Sequence, residues 1–117
     1  MNSREKGKRG EREWAGVLKT VFGLRARRGA QFSGSPDSPD VVGSWPGTHP
    51  EVKRVEDLDV FAAVEQAVRD SGGKLPYVAH RVNGKEWCVT VRLGDLVKWL
   101  ETVVEHRLKK GITNAEL

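Results

Sequence analysis

Apolar residues in three stretches of the chain recur every three or four positions, which predicts three helices with one buried face each. The first helix is expected over residues 7–22, and the second begins at Asp57 or Asp59 and continues to about residue 70. The third follows Gly94-Asp95. The predicted apolar faces are Trp14, Val17, Leu18, Val21 and Phe22 in the first helix, Leu58, Phe61, Ala62, Val64 and Val68 in the second, and Leu96, Trp99, Leu100 and Val103 in the third.

Short apolar runs and alternating apolar residues between the helices are typical of strands. Residues 24–31 are predicted to form a strand or an extended turn, and four further strands are predicted over residues 40–43, 49–55, 75–82 and 85–93. Only a turn separates strand 40–43 from strand 49–55, so these two are expected to form a hairpin. The dipeptide Asn83-Gly84 predicts a second hairpin between the last two strands.

The order of these elements, αβββαββα, predicts an α/β fold with a small mixed β-sheet of about five strands flanked by helices. The 117 residues fit a single domain, 1–117, with flexible ends at residues 1–6 and 110–117. A single cysteine excludes a disulfide framework and zinc sites built from several cysteines. No apolar run approaches the ~20 residues of a membrane span. We therefore expect a cytoplasmic protein without a membrane partner.

The net charge of +4 is concentrated at one end of the chain. Residues 1–30 carry nine Lys or Arg and three Glu, a net charge of +6, whereas the rest carries 11 basic and 13 acidic residues, a net charge of −2. This asymmetry predicts a polyanionic partner such as nucleic acid, although a solubilising basic tail gives the same pattern. The expected DNA-binding residues precede and begin the first helix (Lys6, Lys8, Arg9 and Arg12) or follow it (Arg25, Arg27 and Arg28).

The residue types needed for phosphodiester hydrolysis occur in two neighbouring predicted strands. Glu51 and Lys53 are two positions apart on one strand, so both point to the same face, and Asp40 opens the adjacent strand. Mg²⁺ binds one or two carboxylates while keeping waters and phosphate oxygens, and it lowers the pKa of bound water. We expect Asp40 and Glu51 to bind the metal and Lys53 to orient or deprotonate the attacking water.

A further carboxylate is expected from the first helix. Glu11 lies about 50° from the centre of the apolar stripe, whereas Glu13 lies about 110° away. Glu11 is therefore predicted to face the sheet as a third metal-site residue, and Glu13 to be a solvated charge. Each feature also has an ordinary structural interpretation: a Glu-x-Lys triplet is often a surface alternation, and Glu11 can form an i,i+4 ion pair.

Taken in order, several segments resemble the PD-(D/E)XK nuclease superfamily, and within it the archaeal-type and phage-encoded Holliday junction resolvases. These segments are KGKRGERE, FSGSPDSPD, PDVVG, EVKRVE and HRVNGKEWCVTVRLGDL. The resemblance implies a restriction-endonuclease-like core and a catalytic set of Glu11, Asp40, Glu51 and Lys53. It also implies a loop serine, for which Ser33 fits better than Ser35. Pro50 departs from the family pattern, because it cannot donate a sheet hydrogen bond.

The resemblance implies an Mg²⁺-dependent endodeoxyribonuclease that resolves four-way junctions by paired nicks, leaving 5′-phosphate and 3′-hydroxyl ends. Mn²⁺ is expected to substitute for Mg²⁺, and no organic cofactor is expected. Two symmetric cuts imply a homodimer, in the host cytoplasm if the protein is phage-encoded. DNA would be held through its backbone, with steep salt dependence, and the amides of the Ser33-Gly34-Ser35 loop can approach a phosphate.

Two alternatives to a junction resolvase remain at this point. One is another nuclease of the superfamily, such as a nickase or a flap-cutting or end-processing enzyme. The other is a non-catalytic DNA-binding module, which the complete carboxylate set disfavours. Gln66 also resembles a position that recurs in phage members and is expected to support the site from the second helix.

Overall fold

The computed structural model describes residues 3–29 and 40–109. Within these ranges the predicted α/β fold and the order of its elements are confirmed. The helices are α1 (Ser3–Phe22), α2 (Val60–Asp70) and α3 (Leu96–Lys109), and the strands are β1 (Arg27–Arg28), β2 (Val41–Val42), β3 (Thr48–Arg54), β4 (Leu75–Arg81) and β5 (Cys88–Thr90). None of the helices in the described ranges combines the length and apolarity needed to cross a bilayer.

The five strands form two sheets. In the mixed three-stranded sheet, β3 runs parallel to β4 along its whole length, and β5 is antiparallel to β4. The strands β1 and β2 form a separate antiparallel ribbon. The predicted hairpin between strands 40–43 and 49–55 is therefore wrong. At Gly43 the backbone adopts a left-handed φ of 84°, and a Cβ there would collide with the backbone of Arg25, so the chain turns away from the ribbon at this position.

Several predicted boundaries also differ. Helix α1 begins at Ser3, four residues before the predicted start, and Asp59 caps α2, since its carboxylate accepts the N–H of Ala62 at 3.0 Å. The Asn83-Gly84 turn forms, with Lys85 N–H donating to Val82 O at 3.2 Å. Beyond this turn the chain does not pair with β4 until Cys88, which leaves β5 only three residues long.

Aromatic side chains hold the helices and the turn after β2 against β4. Tyr77 of β4 is buried, and its hydroxyl accepts a hydrogen bond from Trp14 Nε1 at 3.0 Å and bonds to Ser44 Oγ at 2.7 Å. Trp99 of α3 packs edge-to-face on Tyr77 and on Trp45, with ring centroids 4.8 and 5.0 Å apart. Because burial raises the pKa of Tyr77, this hydroxyl stays protonated within its hydrogen-bonded position.

Helix α1 lies directly on β3 at Gly10. This glycine is buried, and a Cβ at its position would collide with the side chain of Arg54. The absence of a side chain therefore sets the distance at which Glu11 and Glu13, the residues that follow, approach the sheet.

The predicted apolar faces of α2 and α3 are partly wrong. Helix α2 packs on the sheet through Ala63 and Ala67, and Phe61 is exposed instead. Helix α3 buries Trp99 and His106, whereas Leu96 and Leu100 face solvent. Small residues allow α2 to pack closely on β3 and β4, with Val64 at the margin of the contact and Phe61 outside it.

Candidate active site

The centre of the candidate site is one face of β3. Glu51 is buried and Lys53 is half-buried, and the Lys53 Nζ lies 3.3 Å from Glu51 Oε1. Lys53 Nζ also donates a hydrogen bond of 3.1 Å to Gln66 Oε1 of α2. The predicted alternation thus brings Glu51 and Lys53 together, and Gln66 holds the lysine from the helix that covers this face.

Asp40 lies beside β3 although β2, the strand that follows it, does not pair with β3. Its carboxylate accepts a hydrogen bond from the backbone N–H of Val52, the residue between Glu51 and Lys53. Burial raises the pKa of Asp40, and the Val52 amide and the Lys53 charge act in the opposite direction. Asp40, Glu51 and Lys53 therefore form one electrostatically coupled group, which we call the carboxylate–lysine cluster.

The carboxyl of Glu51 is the most strongly perturbed acid in this cluster. Burial, followed by the negative charge of Asp40, raises its pKa to about 7, and Lys53 only partly offsets this. A bound cation stabilises the ionised forms of two buried carboxylates that repel each other. Carboxylate oxygens are also the ligands that a hard divalent metal prefers. The donor set of Asp40 and Glu51 therefore fits Mg²⁺, which needs only one or two carboxylates.

Glu11 lies at the border of the cluster. Its Oε2 accepts a 2.7 Å hydrogen bond from Arg28 Nε of the ribbon, an ion pair that the sequence did not indicate. Burial raises the pKa of Glu11, Arg28 counteracts it, and the charge of Asp40 raises it further. Among the described residues, no three His, Cys, Asp or Glu side chains converge closely enough to hold a metal. In the described residues, the three predicted metal ligands Glu11, Asp40 and Glu51 therefore do not come together at metal-binding spacing.

Glu13 is not the solvated charge that the helix geometry predicted. Its carboxylate lies 3.2 Å from Arg54 Nε, 3.4 Å from Arg81 Nη1 and 3.3 Å from Arg9 Nε. The side chain of Arg54 is only 7% exposed. This Glu13 network joins α1 to the ends of β3 and β4, and Arg54 and Arg81 are too distant in sequence for a helical wheel to find them.

His49 and Asp70 are further residues that the sequence interpretation missed. His49 is two positions before Glu51, so it lies on the same face of β3, and alternation alone would have found it. It is buried beside a cleft of about 460 Å³ between the turn after β2 and the end of α2, where Asp70 also lies. Burial lowers the pKa of His49, and the charges of Asp70 and Asp40 raise it. No local pattern indicated Asp70.

The predicted DNA-binding residues differ in their environments. Arg12, Arg25 and Arg27 are exposed and Lys8 is half-buried, and within the described residues these four make no ion pair. Three others pair with carboxylates: Arg9 with Glu13, Arg28 with Glu11, and Lys6 with Glu56 at 4.0 Å. Ser33 and Ser35 lie outside the described residues.

Comparison with solved structures shows a likeness to an archaeal DNA-processing enzyme. The chain is similar to the 1.6 Å structure of Hjc from Archaeoglobus fulgidus, described as a Holliday junction resolvase from an archaeal hyperthermophile. The two chains are 30% identical, with a TM-score of 0.52, over 74% of this chain and 72% of the other. No protein-family model matches the chain, and no curated protein does.

Proposed function

This chain belongs to the Holliday junction resolvase family of PD-(D/E)XK nucleases, and from this premise we propose that it is a metal-dependent endodeoxyribonuclease that resolves four-way DNA junctions by paired nicks. The observation that carries the proposal is the carboxylate–lysine cluster: Asp40 bonds to the amide of Val52, between Glu51 and Lys53 on one face of β3. A likeness of fold alone would not require these three side chains to meet.

In this proposal Asp40 and Glu51 hold a divalent cation, with Mg²⁺ as the natural ion and Mn²⁺ as a substitute. When bound, such a cation lowers the pKa of water and offsets the charge that develops on the phosphate. Burial, and after it the negative charge of Asp40, raises the pKa of Glu51, and this supports the role because a bound cation would offset both effects. Glu11 contributes at the border of the cluster, directly or through water.

Lys53 orients the attacking water or accepts its proton and stabilises the charged phosphate. Its contact with Gln66 restricts the rotation of a long side chain and keeps Nζ beside Glu51. Ser33 is assigned a supporting role at the scissile phosphate, and this assignment is based on the family resemblance alone. The products carry 5′-phosphate and 3′-hydroxyl ends.

DNA is held mainly through its phosphates. Arg12, Arg25 and Arg27 offer exposed guanidinium groups near the helix that carries Glu11, and Lys8 lies in the same segment. Arg9, Arg28 and Lys6 contribute when the phosphate competes with their carboxylate partners, and Ser35 belongs to the proposed loop contact. A homodimer would present two such sites to strands of like polarity.

The proposal is tested by incubating the protein with a labelled immobile four-way junction, a flap and a plain duplex, with and without Mg²⁺. We expect paired, symmetric nicks in the junction alone, and only when Mg²⁺ is present. Equal cutting of the duplex would indicate a general nuclease, and cutting of the flap alone an end-processing enzyme. Binding without any cutting would indicate a non-catalytic module.

The raised pKa of Glu51 predicts a pH dependence. Glu51 must be ionised to hold the cation, so cleavage at limiting Mg²⁺ should fall roughly tenfold per pH unit below about 7. The cation competes with the proton for the same oxygens, so raising the Mg²⁺ concentration should move the midpoint to lower pH. Cleavage rates measured between pH 5.5 and pH 8.5 at two Mg²⁺ concentrations check both effects. A midpoint that does not move with Mg²⁺ would contradict the role of Glu51.

A further inference from the structure

The cleft beside His49 has no part in the chemistry proposed for the carboxylate–lysine cluster. It holds about 460 Å³, which is within the range of pockets that bind small molecules. Its walls are β2 with the turn after it, the first residues of β3, and the end of α2 with the turn that follows. We call it the His49 cleft, and its volume is sufficient for part of a nucleic-acid backbone.

The His49 cleft adjoins the cluster along β3. His49 is 6% exposed and is two residues before Glu51, so the two side chains share one face of the strand, about 7 Å apart. Burial is the main cause of the pKa shifts of His49, Asp40 and Glu51, and in all three the negative charge of Asp70 also raises the pKa. The cleft and the cluster therefore share one electrostatic environment, and a DNA strand bound at the cluster is within reach of the cleft.

Two basic side chains line the cleft, Arg69 at the end of α2 and Lys74 directly before β4. Both are exposed, and neither forms an ion pair with any residue that the structure describes. The charge of Lys74 adds to burial in lowering the pKa of His49, so this lysine lies close to the histidine. By helical spacing, Arg69 is about 60° from Gln66, which holds Lys53 of the cluster. Both cations are therefore available to an anionic ligand beside the cluster.

The cleft and the basic residues of α1 lie toward opposite ends of β3. Near Arg54, the last residue of the strand, α1 lies on the sheet at Gly10, and Lys6 pairs with Glu56 just beyond at 4.0 Å. The cleft is instead lined by residues 48–50, at the beginning of the strand. A DNA strand that crosses the cluster along the direction of β3 therefore has α1 on one side of its scissile phosphate and the cleft on the other.

We propose that the His49 cleft is a second DNA-backbone subsite, in which Arg69 and Lys74 hold a phosphate of the cleaved strand on the side of the scissile bond away from α1. The inference rests on the proposed function, because its ligand is the strand that the cluster cleaves. Lysine and arginine donate charge-assisted hydrogen bonds to phosphate oxygens, and such contacts position a strand without reading its bases. Contacts on both sides of the scissile phosphate fix its orientation toward the attacking water.

The charges around the cleft favour an anion over a second metal ion. Asp70 is half-buried and acts on His49, whereas Arg69, the residue before it, is exposed. In the ranges that the structure describes, Asp70 and His49 belong to no group of three side chains able to hold a metal. The two cations would also repel a metal ion, and Asp70 would repel a phosphate that entered deeply. The phosphate is therefore expected beside Arg69 and Lys74.

Binding of a labelled immobile four-way junction without Mg²⁺ tests the proposal. Arg69→Gln and Lys74→Gln should each weaken binding roughly fivefold or more and lower the slope of log affinity against log salt by about one. Lys98→Gln is the matched control, because Lys98 is exposed on α3. Helix α3 packs with Tyr77 and α2 with Val78, neighbours on β4 that point to opposite faces, so the control should bind like the wild type.

Circular dichroism melting verifies that these variants fold. Wild-type affinity and salt slope in both Arg69→Gln and Lys74→Gln would overturn the proposal, as would an equal loss in Lys98→Gln.

A second measurement locates the phosphate. Single phosphates near the branch point of the junction are replaced in turn by uncharged methylphosphonates, and the affinity of each junction is measured. The wild type should lose affinity roughly fivefold at phosphates on both sides of the cleavage position. The double variant Arg69→Gln/Lys74→Gln should lose this sensitivity on one side only, and Arg12→Gln on the other. A double variant as sensitive as the wild type at every position would overturn the proposal.

These binding measurements require no cleavage, so the two proposals fail separately. If the wild type binds the junction but cuts nothing, the nuclease function is wrong, and the binding data still decide the subsite. If the wild type cuts the junction and the cleft variants bind it normally, only the subsite is wrong.

Discussion

Replacing Asp40 by Asn is expected to lower the rate of junction cleavage by at least about 10³-fold while DNA binding is retained. The change keeps the shape of the side chain and its ability to accept the Val52 N–H, but it removes one of two proposed metal-binding charges. A metal ion contributes several kcal/mol to stabilising the transition state, and each 1.36 kcal/mol is tenfold in rate. Single-turnover cleavage and gel-shift binding of the same labelled junction measure the two quantities.

The matched control is Asp57→Asn, which alters an exposed aspartate in the loop before α2. It should cleave at the wild-type rate. Lys53→Met tests the other half of the cluster and should also lose cleavage with binding retained. Full cutting by Asp40→Asn would remove the metal-site assignment, and loss of binding together with cleavage would indicate a damaged fold.

Replacing Glu13 by Ala is expected to lower the free energy of unfolding by about 2–3 kcal/mol, because Arg54 would be left buried without its carboxylate partner. The Nη1 atom of Arg54 already lacks a hydrogen-bond partner among the described residues, so no second acceptor there takes over. In a domain of this size the change corresponds to a fall of about 10 °C in melting temperature. Urea titration and thermal melting measure the loss.

Glu65→Ala provides the comparison, since Glu65 is exposed on α2 and makes no ion pair within the described part of the chain. It should change the unfolding free energy by less than about 0.5 kcal/mol. A double variant, Glu13→Ala with Arg54→Met, should recover much of the stability by removing the uncompensated charge. Equal stability of the Glu13 and Glu65 variants would show that the network contributes nothing.

The arrangement of Glu51 and Lys53 could be predicted because it depends only on local geometry. Any strand places residues two apart on one face, whatever the strand pairs with. The same rule extends to His49, which sequence interpretation passed over. That Glu11 faces the sheet was predictable for a similar reason. Helical spacing alone gives the angle between Glu11 and the apolar stripe of α1, whatever residues the helix packs against.

The pairing of the strands was not predictable in the same way. The ribbon of β1 and β2 contains two residues per strand, too few for a sequence pattern, and β3 finds its neighbour only after the α2 crossover. Asp40 nevertheless contacts β3, through a hydrogen bond from the Val52 amide to its side chain. The predicted position of Asp40 beside Glu51 and Lys53 was therefore correct, although the predicted hairpin was not.

Contacts that depend on distant residues or on a second apolar face also escaped prediction. The partners of Glu13 on β3 and β4 follow it by 41 and 68 positions, and a helical wheel records only the angle to the apolar stripe. In α3, apolar residues occupy two faces, so their spacing alone does not tell which of them, Trp99 or Leu100, turns inward.

The close approach of α1 to β3 at Gly10 has a consequence for how this protein can vary. Glu11 and Glu13 are one and three positions after Gly10. The missing side chain at Gly10 therefore affects both the proposed chemistry of Glu11 and the ion pairs of Glu13 with the sheet. Even a methyl group there would collide with the side chain of Arg54, so the helix would have to shift and both carboxylates would move with it. Position 10 is therefore intolerant of change although it performs no chemistry of its own.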